Sequence, residues 1–349
     1  MRNKVERSLQ DSIEKRIFTG ASYAYKGKDS ARIYNCMGTL GETDEKVTED
    51  TLFDMASCTK IFTSLAFMRL LEEGRITLSD TIERYLPTWS SSNNGKITMF
   101  ELLTHTSTLP AHIPLYQLSR DKEGAQEILK HLLPRVSKGV EYSCLGFIIL
   151  GWVLEKVTNL TLDRVIEKYV CLPLEMKNTV YCPLEKNYSN IMPTGYCAWR
   201  NRMLIGEVND ENAYHLGGVS GNAGLFSNRK DMSRLAEAML TGEGIDGTKF
   251  LHKETIACMT KCYTKRDREF RGLGWCVKNT PDMTAGDYFS DNSFGHTGFT
   301  GTSIWIDKDN DFYAILLTNR VFYSREVSNI RHARQVFHNL SMLDVFEQS

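Results

Sequence analysis

The two ends of this chain carry matching patterns, and that match restricts the possible folds more than any other feature. Near the N-terminus, apolar residues recur at helical spacing, at Val5, Leu9, Ile13 and Phe18. Two strand-like runs follow, over 21–25 and 33–37. Near the C-terminus, TSIWIDKDNDFYAILLTN predicts two apolar strands around a polar turn, and a helix over 324–346 comes after them. We therefore expect both ends to contribute to one antiparallel sheet.

The middle of the chain, from about residue 57 to about 213, has mostly helical patterns and is typical of an insertion between the two ends. With 349 residues and 42% hydrophobic content, the chain can bury a large core. We predict an α/β fold of the α+β kind in a single domain, 1–349. An α/β subdomain would cover about 1–75 and 215–349, and a mostly helical subdomain about 76–214.

The charge pattern excludes several classes of partner. The formal net charge is −1, and no long run of one sign occurs, so we expect no binding to nucleic acid or to an anionic membrane. The longest apolar run, 144–154, is too short to span a bilayer. The N-terminal residues MRNKVERSLQDSIEK lack the apolar core of a secretory signal, so we expect a cytoplasmic protein.

The cysteines favour a reducing compartment. They are odd in number and scattered, at positions 36, 58, 144, 171, 182, 197, 258, 262 and 276. This pattern predicts free thiols rather than a disulfide framework. Cys258 and Cys262, with His252 nearby, have some likeness to a metal site, but no second ligand pair follows at zinc-site spacing. We therefore expect neither a metal nor an organic cofactor.

The stretch FDMASCTK places a serine where a helix begins and a lysine one turn later. A strand-like run ends near Ala56, and apolar residues at helical spacing continue to a stop at Gly74. Ser57 is the natural N-cap of this helix, but a capping box would have Glu or Gln at position 60. Lys60 stands there instead, although a cation near a helix N-terminus costs roughly 0.3 to 1 kcal/mol.

A chemical role accounts for this lysine. Residues three apart share a helix face, so the Ser57 hydroxyl and the Lys60 amine can form a pair of nucleophile and base. The amine accepts a proton only when it is neutral, and we expect burial and the helix end to lower its pKa from about 10.4 to about 7. The same spacing also occurs at Ser12 with Lys15, Ser119 with Lys122 and Ser227 with Lys230. Only Ser57 joins a strand-like run to an apolar helix.

Three further stretches complete a pattern: LLTHTSTLP at 102–110, EYSCLGFIILGWVLEKVT at 141–158 and GHTGFTGTSIWID at 295–307. Together with FDMASCTK, they resemble the motifs of the serine β-lactamase and penicillin-binding-protein superfamily. The likeness is to the branch with class C β-lactamases, D,D-peptidases and family VIII carboxylesterases, and it runs from about residue 5 to 345. It implies a β-lactamase/transpeptidase-like fold, with an antiparallel sheet flanked by helices and an inserted helical subdomain.

The resemblance also implies roles for individual residues. Ser57 would be the acylated nucleophile and Lys60 its base. Tyr142 would match the tyrosine of the YxN motif, which exchanges protons with the nucleophile and the leaving group. The backbone N–H groups of Ser57 and Phe299 would form the oxyanion hole.

The remaining motif positions would contact the substrate. His296, Thr297 and Gly298 occupy the place of the KTG motif, with His296 part of the catalytic group, and Cys144 stands where lactamase-like relatives have asparagine. A thiol is a weaker hydrogen-bond partner than an amide, and a histidine is mostly neutral near pH 7. Both departures make efficient β-lactam hydrolysis less favourable and suit an uncharged substrate.

Several other residues are alternative candidates for a function in the site. Tyr188 lies in the literal sequence YSN, but Tyr142 precedes the apolar run LGFIILG that normally follows the motif, and we prefer it. His105 is interpreted as a hydrogen-bonded core residue, and His112 receives no role. The stretch 207–227 resembles a segment that borders the cleft in this branch, and we assign no catalytic role to the polar residues in it, which include Asp210, Glu211 and Asn222.

The leading hypothesis is a serine hydrolase that forms an acyl-enzyme on Ser57 and hydrolyses a small ester or amide, with the ester favoured. No glutamate stands in position to act as a class A deacylating base, so Tyr142 and Lys60 would activate water. A D-amino-acid peptidase or amidase and a weak β-lactamase are alternatives. A catalytically quiet binding or sensor protein on the same scaffold is the alternative of a different class. The oligomeric state stays open.

Overall fold

A six-stranded antiparallel sheet forms the centre of this computed structural model. The structure describes residues 2–28, 30–133, 139–264, 269–278, 280, 284–326 and 329–347. The sheet has the strand order β2-β1-β11-β10-β9-β8. Its strands are β1 (Gly20–Lys26), β2 (Ile33–Gly38), β8 (Cys276–Val277), β9 (Phe294–Thr297), β10 (Ser303–Asp307) and β11 (Phe312–Thr318). Because β1 pairs with β11, the two ends of the chain meet in one sheet.

Helices cover both faces of this sheet. The α-helices of the described residues are α1 (Arg2–Glu14), α2 (Thr59–Glu72), α3 (Ile82–Tyr85), α4 (Met99–Leu103), α5 (Leu115–Leu118), α6 (Lys122–His131), α7 (Cys144–Thr158), α8 (Leu162–Ile166), α9 (Glu211–His215), α10 (Arg229–Thr241), α11 (Lys253–Thr260) and α12 (Ile330–Phe346). Helices α1, α10 and α12 contact the strands of the sheet directly. Successive strand residues point to opposite faces. Trp305 and Leu316 therefore pack with α1 and α12, while Ile304 and Ile315 join a larger core with α2, α7 and α10.

The described residues also form two smaller sheets, and one of them positions the segment that leads to Ser57. One has the order β3-β7-β4, with β3 (Phe53–Asp54), β4 (Val180–Tyr181) and β7 (Leu225–Ser227). The other pairs β5 (Gly195–Cys197) with β6 (Arg202–Leu204). Phe53 lies opposite Ser227 and Asp54 opposite Phe226, so β7 fixes the direction in which the chain enters the turn before α2.

Helix α7 accounts for the longest apolar run of the sequence. Its residues 145–154 are all buried between α2, α3, α4 and α8, as a helix that is apolar on every side requires. Within the described ranges, no single helix is long and apolar enough to cross a membrane. The pair Cys144–Thr158 and Leu162–Cys171 passes that test together but is bent by 78°.

The structure confirms most of the element predictions and corrects a few boundaries. The shared sheet is confirmed, and both N-terminal strands lie within one residue of the predicted ranges. The last helix was predicted from 324 but begins at Ile330, while 327–328 lie outside the described residues. The mostly helical middle also contains β4, β5 and β6. All nine cysteines are free, as predicted. The division near residues 75 and 215 stays a prediction.

Candidate active site

Ser57 lies at a sharp turn between β3 and α2. The turn is a 3-10 segment, Ala56–Cys58, and the α-helix begins only at Thr59. The prediction that Ser57 caps this helix is therefore wrong, because Cys58 takes the N-cap position and no side chain caps it. Ala56 has a φ of 44°, in the left-handed region that is costly for a residue with a Cβ. The turn is thus strained, and it leaves Ser57 half-buried at its outer side.

Asp54 holds this turn in place. Its carboxylate accepts hydrogen bonds from the Ala56 N–H at 2.8 Å and from the Asn209 N–H at 2.6 Å. Burial raises the pKa of Asp54 to about 6, because the charged form has lost its water. The sequence analysis missed this residue, although an aspartate within the apolar run FDMA was a visible signal.

Lys60 lies one turn beyond Ser57 and is fully buried. Its Nζ donates to the Ser57 Oγ at 3.1 Å, to the Cys144 Sγ at 3.5 Å and to the main-chain oxygen of Asn222 at 3.0 Å. It also lies 5.0 Å from the centre of the Tyr142 ring. The amine therefore has three acceptors, and the sequence analysis did not foresee the one supplied by the Asn222 carbonyl.

The expected low pKa of Lys60 is wrong. Burial lowers the pKa of this amine, but the negative charge that Cys144 and Tyr142 can carry raises it by more. The net direction is above the ordinary lysine value, so Lys60 is a cation at neutral pH. Burial also raises the pKa of Tyr142, against the opposing effect of the Lys60 charge. The pair must therefore lose a proton before either member can act as a base.

Tyr142 is the tyrosine that the structure brings to Ser57. Burial raises the pKa of its hydroxyl, and interactions with Lys60 and Ser57 both lower it. The His105 ring packs against the Tyr142 ring with 4.6 Å between centroids, and the His105 Nδ1 accepts the Ser143 N–H at 3.0 Å. This confirms that His105 is a buried, hydrogen-bonded core residue. By contrast, the Tyr188 hydroxyl donates to the main-chain oxygen of Lys177.

His296 stands at the buried side of the site, on β9. Its Nδ1 lies 2.9 Å from the Thr297 carbonyl oxygen, which can only accept, so Nδ1 carries the proton. Its Nε2 is buried and has no hydrogen-bond partner among the described residues. Burial lowers the pKa of His296 to about 3, and the nearby cations Lys60 and Arg271 act in the same direction. His296 is therefore neutral and offers a lone pair.

The turn after β9, residues 298–302, lies against the segment before Ser57. The Thr300 hydroxyl donates to the Asp54 carbonyl oxygen at 2.6 Å, and the Thr302 hydroxyl to the Met55 carbonyl oxygen at 3.2 Å. A Cβ on Gly298 would lie 2.6 Å from the Met55 oxygen, so only glycine permits this approach.

Two backbone donors of these adjoining segments have no protein acceptor among the described residues. Within the part of the chain that the structure describes, neither the Ser57 N–H nor the Phe299 N–H donates to a protein acceptor. These are the two donors that the sequence analysis predicted for the oxyanion hole. Neither N–H has an acceptor in the described protein and their two segments are in contact, which is consistent with that role. The oxyanion hole stays a prediction.

Other sequence candidates lie apart from this site or have other partners. The Ser12 hydroxyl donates to the Ser8 carbonyl, Ser119 contacts His215, and the Ser227 hydroxyl contacts Thr179. None of these serines is bonded to its lysine in the described ranges. No cluster of three or more potential metal ligands occurs among the described residues either.

Arg271 is a further group that the sequence analysis missed. Its guanidinium carbon lies 5.0 Å from the centre of the Tyr142 ring, and it forms an ion pair with Glu269 at 3.1 Å. Glu211, at the cleft border, is paired with Arg325. Asp210 accepts the Ala213 N–H as the N-cap of α9. Glu211 and Asp210 therefore have structural partners. Asn222 reaches Lys60 through its main chain, and its side-chain Oδ1 accepts the Ser220 hydroxyl.

The sequence of this chain is similar to those of known proteins. A family model described as Beta-lactamase matches residues 7–337. A putative D-alanyl-D-alanine carboxypeptidase of Escherichia coli (strain K12) is 35% identical, over 80% of this chain and 72% of the relative.

Solved structures are similar over almost the whole chain. EstCE1, a hydrolase with promiscuous acyltransferase activity, has a TM-score of 0.78 at 20% identity, covering 97% of this chain and 98% of that one. A class C beta-lactamase has a TM-score of 0.77 at 18% identity, covering 98% and 96%. These likenesses confirm the predicted fold class.

Exchanging each tyrosine for phenylalanine separates the two candidates. We expect Tyr142→Phe to lower kcat/KM for an ester by about a hundredfold or more, because a positioned proton-transfer group contributes at least that much. Tyr188→Phe is the matched control and should retain the wild-type value. Loss of turnover in the Tyr188 variant alone would contradict the assignment of Tyr142.

The pH dependence follows from the raised pKa values of Lys60 and Tyr142. Because the active base appears only after the pair loses a proton, kcat/KM should rise with pH and still be rising at about pH 9. Initial rates with a neutral ester, corrected for spontaneous hydrolysis, give this profile. A plateau that begins near neutral pH would show that Lys60 is already uncharged there.

Proposed function

The chain belongs to the beta-lactamase family of serine hydrolases, and on this premise we propose that Ser57 forms an acyl-enzyme with a small ester or amide. One observation carries the proposal: the Ser57 hydroxyl lies 3.1 Å from the Lys60 amine, on a strained turn that packs against the 298–302 turn. A serine that served only to cap the helix would need neither a buried amine beside its hydroxyl nor a strained turn.

The proposed reaction has two steps. The Ser57 Oγ attacks the carbonyl carbon, and its proton passes to the deprotonated form of the Lys60 and Tyr142 pair. The tetrahedral oxyanion accepts hydrogen bonds from the Ser57 and Phe299 N–H groups, each worth about 3 to 4 kcal/mol in such sites. The bond to the leaving group then breaks, and the pair returns the proton to it. In the second step the pair takes a proton from water, and the resulting hydroxide attacks the acyl carbon. The bond from that carbon to the Ser57 Oγ then breaks, the pair returns the proton to the Ser57 Oγ, and the carboxylic acid product leaves.

The acceptor character of His296 supports an uncharged substrate. Its Nδ1 proton is used by the Thr297 carbonyl, so only the Nε2 lone pair remains for a ligand. A lone pair repels a carboxylate and accepts a hydrogen bond from a hydroxyl or amide N–H. Cys144 already accepts from Lys60 and lacks the two amide donors of an asparagine. These properties favour esters over β-lactams.

A D-alanyl carboxypeptidase is the second candidate, because the relative at 35% identity carries that name. Two cations near the predicted oxyanion hole favour it as well. The guanidinium carbons of Arg320 and Arg325 lie 4.3 and 5.5 Å from the centre of the Phe299 ring. Phe299 is 44% exposed, so a substrate carboxylate at this ring would lie close to both cations.

We also propose that the chain works in a reducing compartment such as the cytoplasm, since nine free thiols, five of them partly exposed, are unusual in an oxidising one. Fractionation of the source cells tests this. Recovery of the protein outside the cytoplasm would contradict it.

A substrate panel tests the proposed reaction. Short nitrophenyl esters, a D-alanyl-D-alanine dipeptide and a chromogenic cephalosporin are each compared by kcat/KM. We expect the esters to be turned over best and the cephalosporin least. Ser57→Ala should abolish turnover and prevent any acyl adduct in the mass spectrum. Ser119→Ala, which alters another serine three residues before a lysine, is the matched control and should behave as wild type.

The outcomes separate the candidates. Faster turnover of the dipeptide than of any ester would favour the carboxypeptidase. An adduct on Ser57 without turnover of any substrate would favour a binding or sensor protein. Retained turnover in Ser57→Ala would reject the proposal.

A further inference from the structure

We infer that Arg334, on α12, is a positioning residue for the oxyanion hole, and that it acts by holding the carbonyl of Gly298. This inference rests on the proposed function, because it assigns a task to the Phe299 N–H in the reaction at Ser57. Arg334 does not touch the substrate in this account. It acts through the peptide that joins Gly298 to Phe299.

The contacts of Arg334 are specific to that turn. Its Nη2 donates to the Gly298 carbonyl oxygen at 2.7 Å and to the Thr302 carbonyl oxygen at 2.9 Å. The Thr302 oxygen also accepts the Gly298 N–H at 2.7 Å, which closes the turn. One guanidinium nitrogen therefore holds the carbonyls of the first and last residues of the 298–302 turn.

The geometry of the peptide bond gives this contact a chemical consequence. The Gly298 C=O and the Phe299 N–H belong to one planar unit, so fixing the oxygen also fixes the direction of the N–H. A charged donor on the oxygen draws electron density away from the nitrogen and makes the N–H a stronger donor. Hydrogen bonds in such chains strengthen each other by about 10 to 30%. The Phe299 N–H is therefore both aimed and polarised by Arg334.

The burial of Arg334 argues against an incidental contact. The residue is 6% exposed, and none of the ion pairs found among the described residues includes it. Burial lowers the pKa of Arg334 to about 10, so the group is still a cation at neutral pH. A buried cation without a carboxylate partner is costly. Here the charge is placed behind the point where the reaction would create an oxyanion.

A second arginine holds the other side of the same residue. The Arg320 Nε donates to the Phe299 carbonyl oxygen at 2.7 Å, and its guanidinium lies over the Phe299 ring. The carbonyls before and after the Phe299 Cα are thus each held by a guanidinium, one from α12 and one from the segment after β11. Rotation of the Phe299 N–H away from Ser57 would break charge-assisted hydrogen bonds on both sides.

The experiment compares Arg334→Met with Arg334→Lys and with Arg331→Met. Arg331 lies on the same helix with an exposed side chain and provides the matched control. For each protein, kcat and KM are measured with a short nitrophenyl ester. The acyl-enzyme is then trapped by rapid mixing with the ester carrying a ¹³C label in its carbonyl, and the infrared stretch of that carbonyl is recorded. A more weakly hydrogen-bonded carbonyl absorbs at higher wavenumber, so the stretch reports directly on the oxyanion hole.

We expect Arg334→Met to lower kcat by about tenfold or more with KM within about twofold, and to move the stretch to higher wavenumber. Arg334→Lys should show smaller changes in the same direction, and Arg331→Met should match wild type. If Arg334→Met does not fold, Arg334→Lys carries the test. An unshifted stretch in the variant that folds, even with a lower kcat, would overturn the inference and leave Arg334 only a structural role. Failure of the wild-type protein to acylate Ser57 would instead reject the proposed function.

Discussion

The structure depends on the contact between the 298–302 turn and the segment before Ser57. Thr300 and Thr302 donate to the carbonyls of Asp54 and Met55, so two segments almost 250 residues apart are fixed side by side. The sheet makes this possible, since β1 pairs with β11 and β10 with β9. The core on both faces of the sheet therefore stabilises the contact between these two segments, which supply the two N–H groups of the proposed oxyanion hole.

Charge and strain are concentrated around that point. Ala56 is held in the left-handed region, and the buried carboxylate of Asp54 accepts its N–H. Lys60 and Arg334 are buried cations, whereas His296 is kept neutral by burial and by the cations near it. Such a distribution lowers stability, because buried charges lose their hydration. It suits a reaction in which negative charge develops on an oxygen beside Ser57.

The spacing of apolar residues predicted most of the helices and strands, and the order of the four motifs along the chain predicted the family. The spacing from Ser57 to Lys60 and the apolar run after Tyr142 identified the residues that the structure brings together. The pKa of Lys60 was not predictable in this way. It depends on burial and on Cys144 and Tyr142, and Cys144 is 84 residues away in sequence. Arg334 carries no motif, and its role becomes visible only when α12 lies against the turn after β9.

A crystal structure of the protein after reaction with a nitrophenyl alkylphosphonate tests the central claim most directly. The adduct imitates the tetrahedral intermediate, and the account predicts phosphorus bonded to the Ser57 Oγ. One phosphonyl oxygen should lie within about 3.1 Å of the backbone nitrogens of both Ser57 and Phe299. An adduct on another residue, or a phosphonyl oxygen turned away from both nitrogens, would contradict the account.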